Sequence, residues 1–460
     1  MKHRHGLMVT VAALCFTAGA IEAQYVEDSI DVGHAWVGSL AYNSREDVLY
    51  GRCQQASTFF AISCDSNKVI NSFSLSRPRQ MTYDSIDNKA YCPCNGTDVE
   101  SLAVIDGRTH SLVKKLGMPG ATTAVWDPIS DRVYVSCQST NKVAVVDCLT
   151  DSVLKYINVG ACPLKLYLNT AGRKLYVQNY DAGTVSIVDL TNDHVTRTLN
   201  VGGNPNAGYY CAGAGKFYSA GDIRECVVIS GQSDTIIARL PLPGSAEVIS
   251  AEGNETGGLV YLGTSDGGID DYVVTVSTAN DSVRASVVVD GDPDPLACYL
   301  GSGLVYCATM RIGRLFVLSS DGSQVLDSLQ VGSAPSVFAQ VPLHERLYLG
   351  HSNTRYVYVL RDTSAGVTEQ QSRPKFSGAL RVSPNPFARS VTLTWNSPAK
   401  AGDAVRVYAQ DGRLVRQTQI PAGDNRWVWD GRDDSGAPLP PGVYVLETGP
   451  AVRVKVVKLE

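Results

Sequence analysis

The chain has 460 residues, a net charge of −5 and 44% hydrophobic residues, enough apolar content to bury a large core and to exclude wholesale disorder. Charged residues make up only 18%, below the usual ~25%, and this acidic balance lacks the basic face that a nucleic-acid partner requires.

Lys2 and Arg4 precede an apolar stretch over residues 7–20, followed by Ile21-Glu22-Ala23. The stretch is short for a bilayer span, and the pattern predicts a secretory signal peptide over 1–23, cut after Ala23. Cys15 follows Leu14, which argues against lipoprotein processing. No later stretch reaches ~18 uninterrupted apolar residues, so no transmembrane segment is expected after cleavage. Export permits disulfides. Of the 12 cysteines, all but Cys15 remain, and an odd number leaves at least one thiol unpaired or paired between chains.

Residues 24–362 carry a repeat. An apolar residue followed by Tyr recurs at Tyr50, Tyr91, Tyr134, Tyr176, Tyr218, Tyr261, Tyr306 and Tyr348, at intervals of 41, 43, 42, 42, 43, 45 and 42. A second mark, often Val-Gly-x-x-Pro, keeps the same beat through Pro78, Pro119, Pro163, Pro205, Pro243, Pro293 and Pro335, with Trp36 in the first place. The copy over 164–205 contains four short runs rich in β-branched and aromatic residues, bounded by Gly, Asn or Asp. Such runs read as strands, and four strands per ~42 residues is the unit of a β-propeller blade. Seven copies carry four strands and the eighth, over 336–362, carries three. Residues 28–33 (DSIDVG) match the tail of a repeat. The expectation is an all-β chain with an eight-bladed propeller whose N-terminal strand completes the last blade and removes a free edge. A seven-bladed ring, with one copy displaced, is the alternative.

Copies such as KLYVQNYDAGTVSIVDLTNDHVTRTLNVGGNP and RVYVSCQSTNKVAVVDCLTDSVLKYINVGACP resemble the YVTN family of propeller repeats. The resemblance implies the fold; relatives of the repeat serve in surface-layer proteins, lactonase-like enzymes and quinoprotein dehydrogenases, so function stays open.

Within the repeats, Asp290, Asp292 and Asp294 lie in the loop between blades six and seven. Three carboxylates in five residues could hold a hard cation as a metal site; Asp-Gly and Asp-Pro pairs are also ordinary turn chemistry, which is the simpler reading. Asp106, Asp147 and Asp189 end third strands in successive copies, which predicts Asx turns. Cys298 and Cys307 flank a Gly-Ser-Gly turn, so their strands should be adjacent, and they are the candidate disulfide pair. Cys53, Cys94 and Cys137 each follow a marker Tyr by three residues, on separate blades. His34, His110, His194, His344 and His351 show no metal spacing, and no HExxH, GxSxG or Walker motif is present, so no catalytic set and no cofactor is expected.

Residues 363–380 read as a polar linker. Residues 381–460 then show about seven short strands with turn signals, a small β-sandwich. The pieces SPNPF, QDGRLV, WDGRDDSG, PPGVY and KVVKLE resemble the C-terminal sorting domain of type IX secretion cargo, whose Ig-like sandwich is related to one in flagellar hook-capping proteins. The resemblance implies recognition by secretion machinery, passage across a bacterial outer membrane, and display at the cell surface or release. A spacer or carbohydrate-binding sandwich is the alternative. The chain as a whole is expected to act as a secreted or cell-surface binding or structural module for a protein or glycan. The alternative is a propeller enzyme, a lactonase-like hydrolase or a quinoprotein-type oxidoreductase, which would need convergent His, Glu or Asp in the central channel.

Overall fold

A computed structural model describes residues 25–361, apart from 97–99, 244–246, 268–270 and 300–301, and, in the C-terminal region, 381–383, 387, 389–394, 404–409, 414–448 and 452–458. The expected signal peptide and linker lie outside the described residues. Two compact units divide at residues 368/369.

The first unit contains eight four-stranded antiparallel sheets. Blades 1 to 7 run over 37–74, 82–117, 121–158, 163–200, 205–241, 247–288 and 293–330. Blade 8 takes three strands from 335–361, and its outer strand is the N-terminal segment Tyr25–Asp31, paired antiparallel with Tyr356–Arg361. The ring therefore has eight blades and is closed by the strand expected from the DSIDVG match.

Second and third strands of each blade are buried along most of their length, as in Val48–Cys53 and Thr58–Ser63. Their near-continuous apolar runs follow from being covered by neighbouring blades on both faces. Fourth strands such as Leu112–Gly117 form the exposed perimeter. The first strands of successive blades pack against one another around the axis. Hydroxyls staple this inner ring: Thr123 donates to the Leu164 carbonyl (2.8 Å), Ser250 to Pro293 (2.5 Å) and Ser336 to Val37.

The marker tyrosines have a common task. Each is fully or almost fully buried on a second strand, and the hydroxyls of Tyr50, Tyr91, Tyr134, Tyr218, Tyr261 and Tyr348 bond the turn between strands three and four of the next blade. Tyr91 donates to Asp151, Tyr134 to Asp193 and Tyr218 to Asp281, at 2.7–2.8 Å. The residue two places earlier in the chain joins the same carboxylate: Lys89 to Asp151, Arg132 to Asp193 and Lys216 to Asp281; Lys174 likewise reaches Asp234. The accepting residues Asp151, Asp193, Asp234 and Asp281 all have positive φ, a turn conformation that Asp tolerates better than most residues. The Lys/Arg-x-Tyr of one blade is thus a clamp on the next.

The second unit holds a three-stranded and a four-stranded sheet around one core that includes Phe387, Leu393, Val407, Trp429 and Tyr444. Trp429 and Tyr444 meet edge-on at 5.1 Å. The Trp429 indole donates to the Arg432 carbonyl and the Tyr444 hydroxyl to the Pro440 carbonyl, so both polar tips are satisfied inside an apolar core. This is the small Ig-like sandwich that the strand pattern predicts.

Candidate functional site at the channel mouth

In most blades the register of the first strand shifts just after its opening residue, as at Val37/Ser39, Pro163/Lys165 and Pro293/Leu296. A bulge of this kind re-aims side chains. Here it lies where the first strand opens at the channel mouth, with Asp294 inside it in blade 7 and Lys165 just past it in blade 4.

Lys165 belongs to blade 4, yet its ammonium donates to Gln80 Oε1 of blade 2 at 3.4 Å. Its ionisation also responds to Asp294 of blade 7 and Arg52 of blade 1. Blades 1, 4 and 7 are not neighbours, so these groups sense one another across the channel. Arg52 comes from a second strand and is 9% exposed. Its guanidinium bonds the Gly38 carbonyl and Gln54 Oε1, each at 3.0 Å. An added Cβ on Gly38 would stand 2.9 Å from both terminal nitrogens of Arg52; the missing side chain is what lets the arginine lie over the inner strand. Arg79 of blade 2 follows Pro78 as Asp294 follows Pro293.

Three cations therefore converge, with one carboxylate opposite. Among the described residues neither Arg52 nor Arg79 has an ion-pair partner, and the Nε of each is a buried donor without an acceptor. Burial pulls Arg52 down to about 10, with Arg79 adding repulsion. Burial also lowers Lys165, opposed by Asp294. It raises Asp294 to about 6, opposed by Lys165. Lys165 and Asp294 keep part of their surface open, so the desolvation is that of a narrow channel ringed by protein rather than of a dry core. Such a group disfavours its own charges and is relieved by an anion entering it.

Deeper along the same wall, on the first strand of blade 6, Glu252 bonds the Gly253 amide and forms no ion pair among the described residues. Burial raises its carboxyl to about 7. A folded pKa above the unfolded one means that the folded state holds the proton more tightly, so the stability contribution is full below about 4.5 and lost as pH rises through 7. Glu252→Gln is expected to flatten the fall in melting temperature between pH 4.5 and 7 relative to the wild type. Parallel pH–stability curves for the two proteins would refute this.

The three aspartates, for which a turn is the simpler reading, take three different environments. Asp290 is exposed, Asp292 takes a positive φ and accepts from Ser265 at 2.5 Å, and Asp294 turns to the channel. Cys298 lies opposite Val305 and Cys307 opposite Leu296, so the two cysteines are diagonal across their strands rather than face to face. Both are free, as are the other described cysteines, all buried. Asp106, Asp147 and Asp189 accept backbone N–H groups from residues two or three places on, as Asx turns do. His34 is exposed, and His351 is buried between the Val331 and Tyr356 carbonyls. Arg52, Arg79 and Lys165 escaped the sequence reading. A usable signal existed only for Arg79 and Asp294, each a charge directly after a Pro mark where blade 4 carries Leu164.

Fold and site together define an eight-bladed propeller with a cationic channel mouth, followed by an Ig-like unit. Residues 386–448 match the FlgD Ig-like domain family. No curated protein matches the chain.

Proposed function

We propose that this is an exported binding module, displayed at the surface of a bacterium with an outer membrane, whose propeller captures an acidic glycan at the channel mouth. The observation that carries the reading is the convergence of Arg52, Arg79 and Lys165 on one opening with buried donors unused. Trp36 supports a glycan over an acidic protein segment: it is 40% exposed, and its carbonyl accepts from the Gln54 amide, beside the side chain that holds Arg52. Exposed aromatic faces next to charge donors suit a sugar ring with an anionic substituent.

Titration of the purified full chain with a uronate oligosaccharide and its neutral counterpart tests this. The acidic sugar is expected to bind at least about tenfold tighter, with salt-sensitive affinity. Arg79→Ala and Lys165→Ala should each cost about tenfold, roughly 1.4 kcal/mol. Equal binding of the two sugars, or wild-type affinity in both variants, would remove the glycan reading; preference for an acidic peptide would replace the partner class. The enzymatic alternative rests on Asp294 and Glu252, two carboxyls raised toward neutrality in one channel, and product formation during the same titration would bring it forward.

The export part of the proposal is supported by the leader composition and by the Ig-like match at 386–448, taken with the ordered motifs that resemble a type IX sorting domain. Intact masses of the protein from washed cells and from medium test it. Loss of the leader together with roughly the last 80 residues fits a processed sorting domain, whereas a chain retaining its leader inside the cell overturns export.

A further inference from the structure

At the far end of the first strand from the channel mouth, blades 1 to 4 meet in succession through a repeated arrangement. The last residue of that strand faces a residue in the first turn of the following blade. The amide after that blade's third strand closes onto the same turn: Gly107 to the Asn88 carbonyl, Cys148 to Asp131, Leu190 to Arg173. Between blades 1 and 2 the facing pair is Asn43 and Asn88, amide to amide at 3.1 Å. Between blades 3 and 4 it is Asp127 and Arg173, an ion pair at 2.7 Å. Between blades 2 and 3 it is Asp84 and Asp131, with the Cys148 thiol beside them.

That third version departs from its neighbours in charge. Asp84 is fully buried. Its Oδ1 accepts the Ile86 and Asp87 amides, and its Oδ2 has no partner. Asp131 is held by the Trp126 indole at 3.1 Å. Ligand atoms of Asp84, Asp131 and Cys148 all lie within 4.8 Å of one another. The nearest cation, Lys89, is engaged with Asp151 at 3.0 Å and with the Cys148 carbonyl, and only grazes Asp87 at 3.8 Å. Two carboxylates and a thiol are thus enclosed where the next copy supplies an arginine. Uncompensated buried charge costs several kcal/mol.

We propose that Asp84, Asp131 and Cys148 form an inter-blade site for a borderline divalent cation of the zinc class. The mixed oxygen and sulfur set suits such an ion better than magnesium or calcium, which favour oxygen ligands alone. Bond lengths of about 2.0–2.3 Å place ligands of one ion roughly 3.3–3.7 Å apart, so from a cluster within 4.8 Å the three side chains would draw together on binding. The ion would take the place that Arg173 fills in the next interface, joining blades 2 and 3. Binding releases the thiol proton of Cys148 to solvent and leaves the sulfur as thiolate.

The full chain, purified reduced and stripped with chelator, is titrated with Co²⁺ and Zn²⁺. One equivalent is expected to bind, with a thiolate-to-cobalt charge-transfer band. Cys148→Ser should lose that band although every other cysteine remains. Asp84→Asn should lose at least tenfold in affinity, and Zn²⁺ should raise the melting temperature of the wild type but not of this variant. Should Cys148→Ser fail to fold, Asp131→Asn, at a half-buried position, is read in its place by the same loss of affinity. The proposal falls if no stoichiometric metal binds, or if the band survives in Cys148→Ser. It falls equally if Asp84→Asn is as stable as the wild type and neither responds to metal; the two carboxyls would then simply share a proton.

Discussion

Removal of residues 25–31 is expected to abolish the native propeller, leaving a chain that unfolds without a cooperative transition or elutes as aggregate. The deleted strand supplies every partner of the outer edge of blade 8. It also supplies Ile30, 4% exposed within a core shared by blades 8 and 1. Its Glu27 accepts two hydrogen bonds from Arg346, at 2.6 and 2.9 Å, and approaches Arg361 at 3.3 Å. Without the strand those arginines lose their counter-ion, and Tyr356–Arg361 becomes an unpaired edge, a template for association. Glu27→Ala isolates the ionic part. Because Arg346 is largely covered, a loss of about 2–4 kcal/mol is expected, read from chemical denaturation. Arg346 holds the Glu27 carboxyl below its ordinary value, so this contribution is present above the usual glutamate pKa and is lost as pH falls through the folded one. A truncated chain that melts like the full one would show that the ring does not depend on this closure.

The second large effect is expected at the clamp between blades 3 and 4. Asp193 is 7% exposed and accepts from Tyr134 at 2.7 Å and Arg132 at 2.8 Å. Asp193→Ala strands a fully buried hydroxyl and a partly buried guanidinium together. Removing one partner of such a pair costs about 3–5 kcal/mol, more than either hydrogen bond contributes in net terms. Tyr134→Phe should cost roughly 1 kcal/mol with the carboxylate still paired to arginine. The double variant should fall short of the sum, because the two residues share one network. Additive losses, or a loss for Asp193→Ala within about 0.5 kcal/mol of a surface substitution, would mean that the clamp is not a unit.

The blade count was legible in the sequence because each blade repeats the same local demand: a Tyr on the second strand, and a turn with Gly, Asn or Asp. The N-terminal strand was legible because Asp28 to Gly33 copies the end of a repeat. The clamp was only half legible. Packing explained the Tyr, but its acceptor lies 60 positions away for Tyr91 and 59 for Tyr134, and nothing local announces it. The channel mouth was illegible for the same reason carried further. Arg52, Arg79, Lys165 and Asp294 come from four blades, and only closure of the ring brings them together. Asp294 was grouped with Asp290 and Asp292 by adjacency, whereas the bulge at the start of its strand sends it elsewhere. Cys298 and Cys307 illustrate register: a hairpin brings strands together, but an offset along the ladder decides whether two side chains face each other.

The closing strand also bears on how fast this protein becomes native. Glu27 and Arg346 are separated by 319 residues, and nearly every other strand pair joins consecutive segments. Seven blades can form from local hairpins as the chain emerges, while the eighth must wait for its beginning to find its end. Loop-closure entropy falls on that single event. Refolding should therefore end in a slow phase that reports on blade 8, and before that phase the chain is an open arc with two unpaired ends.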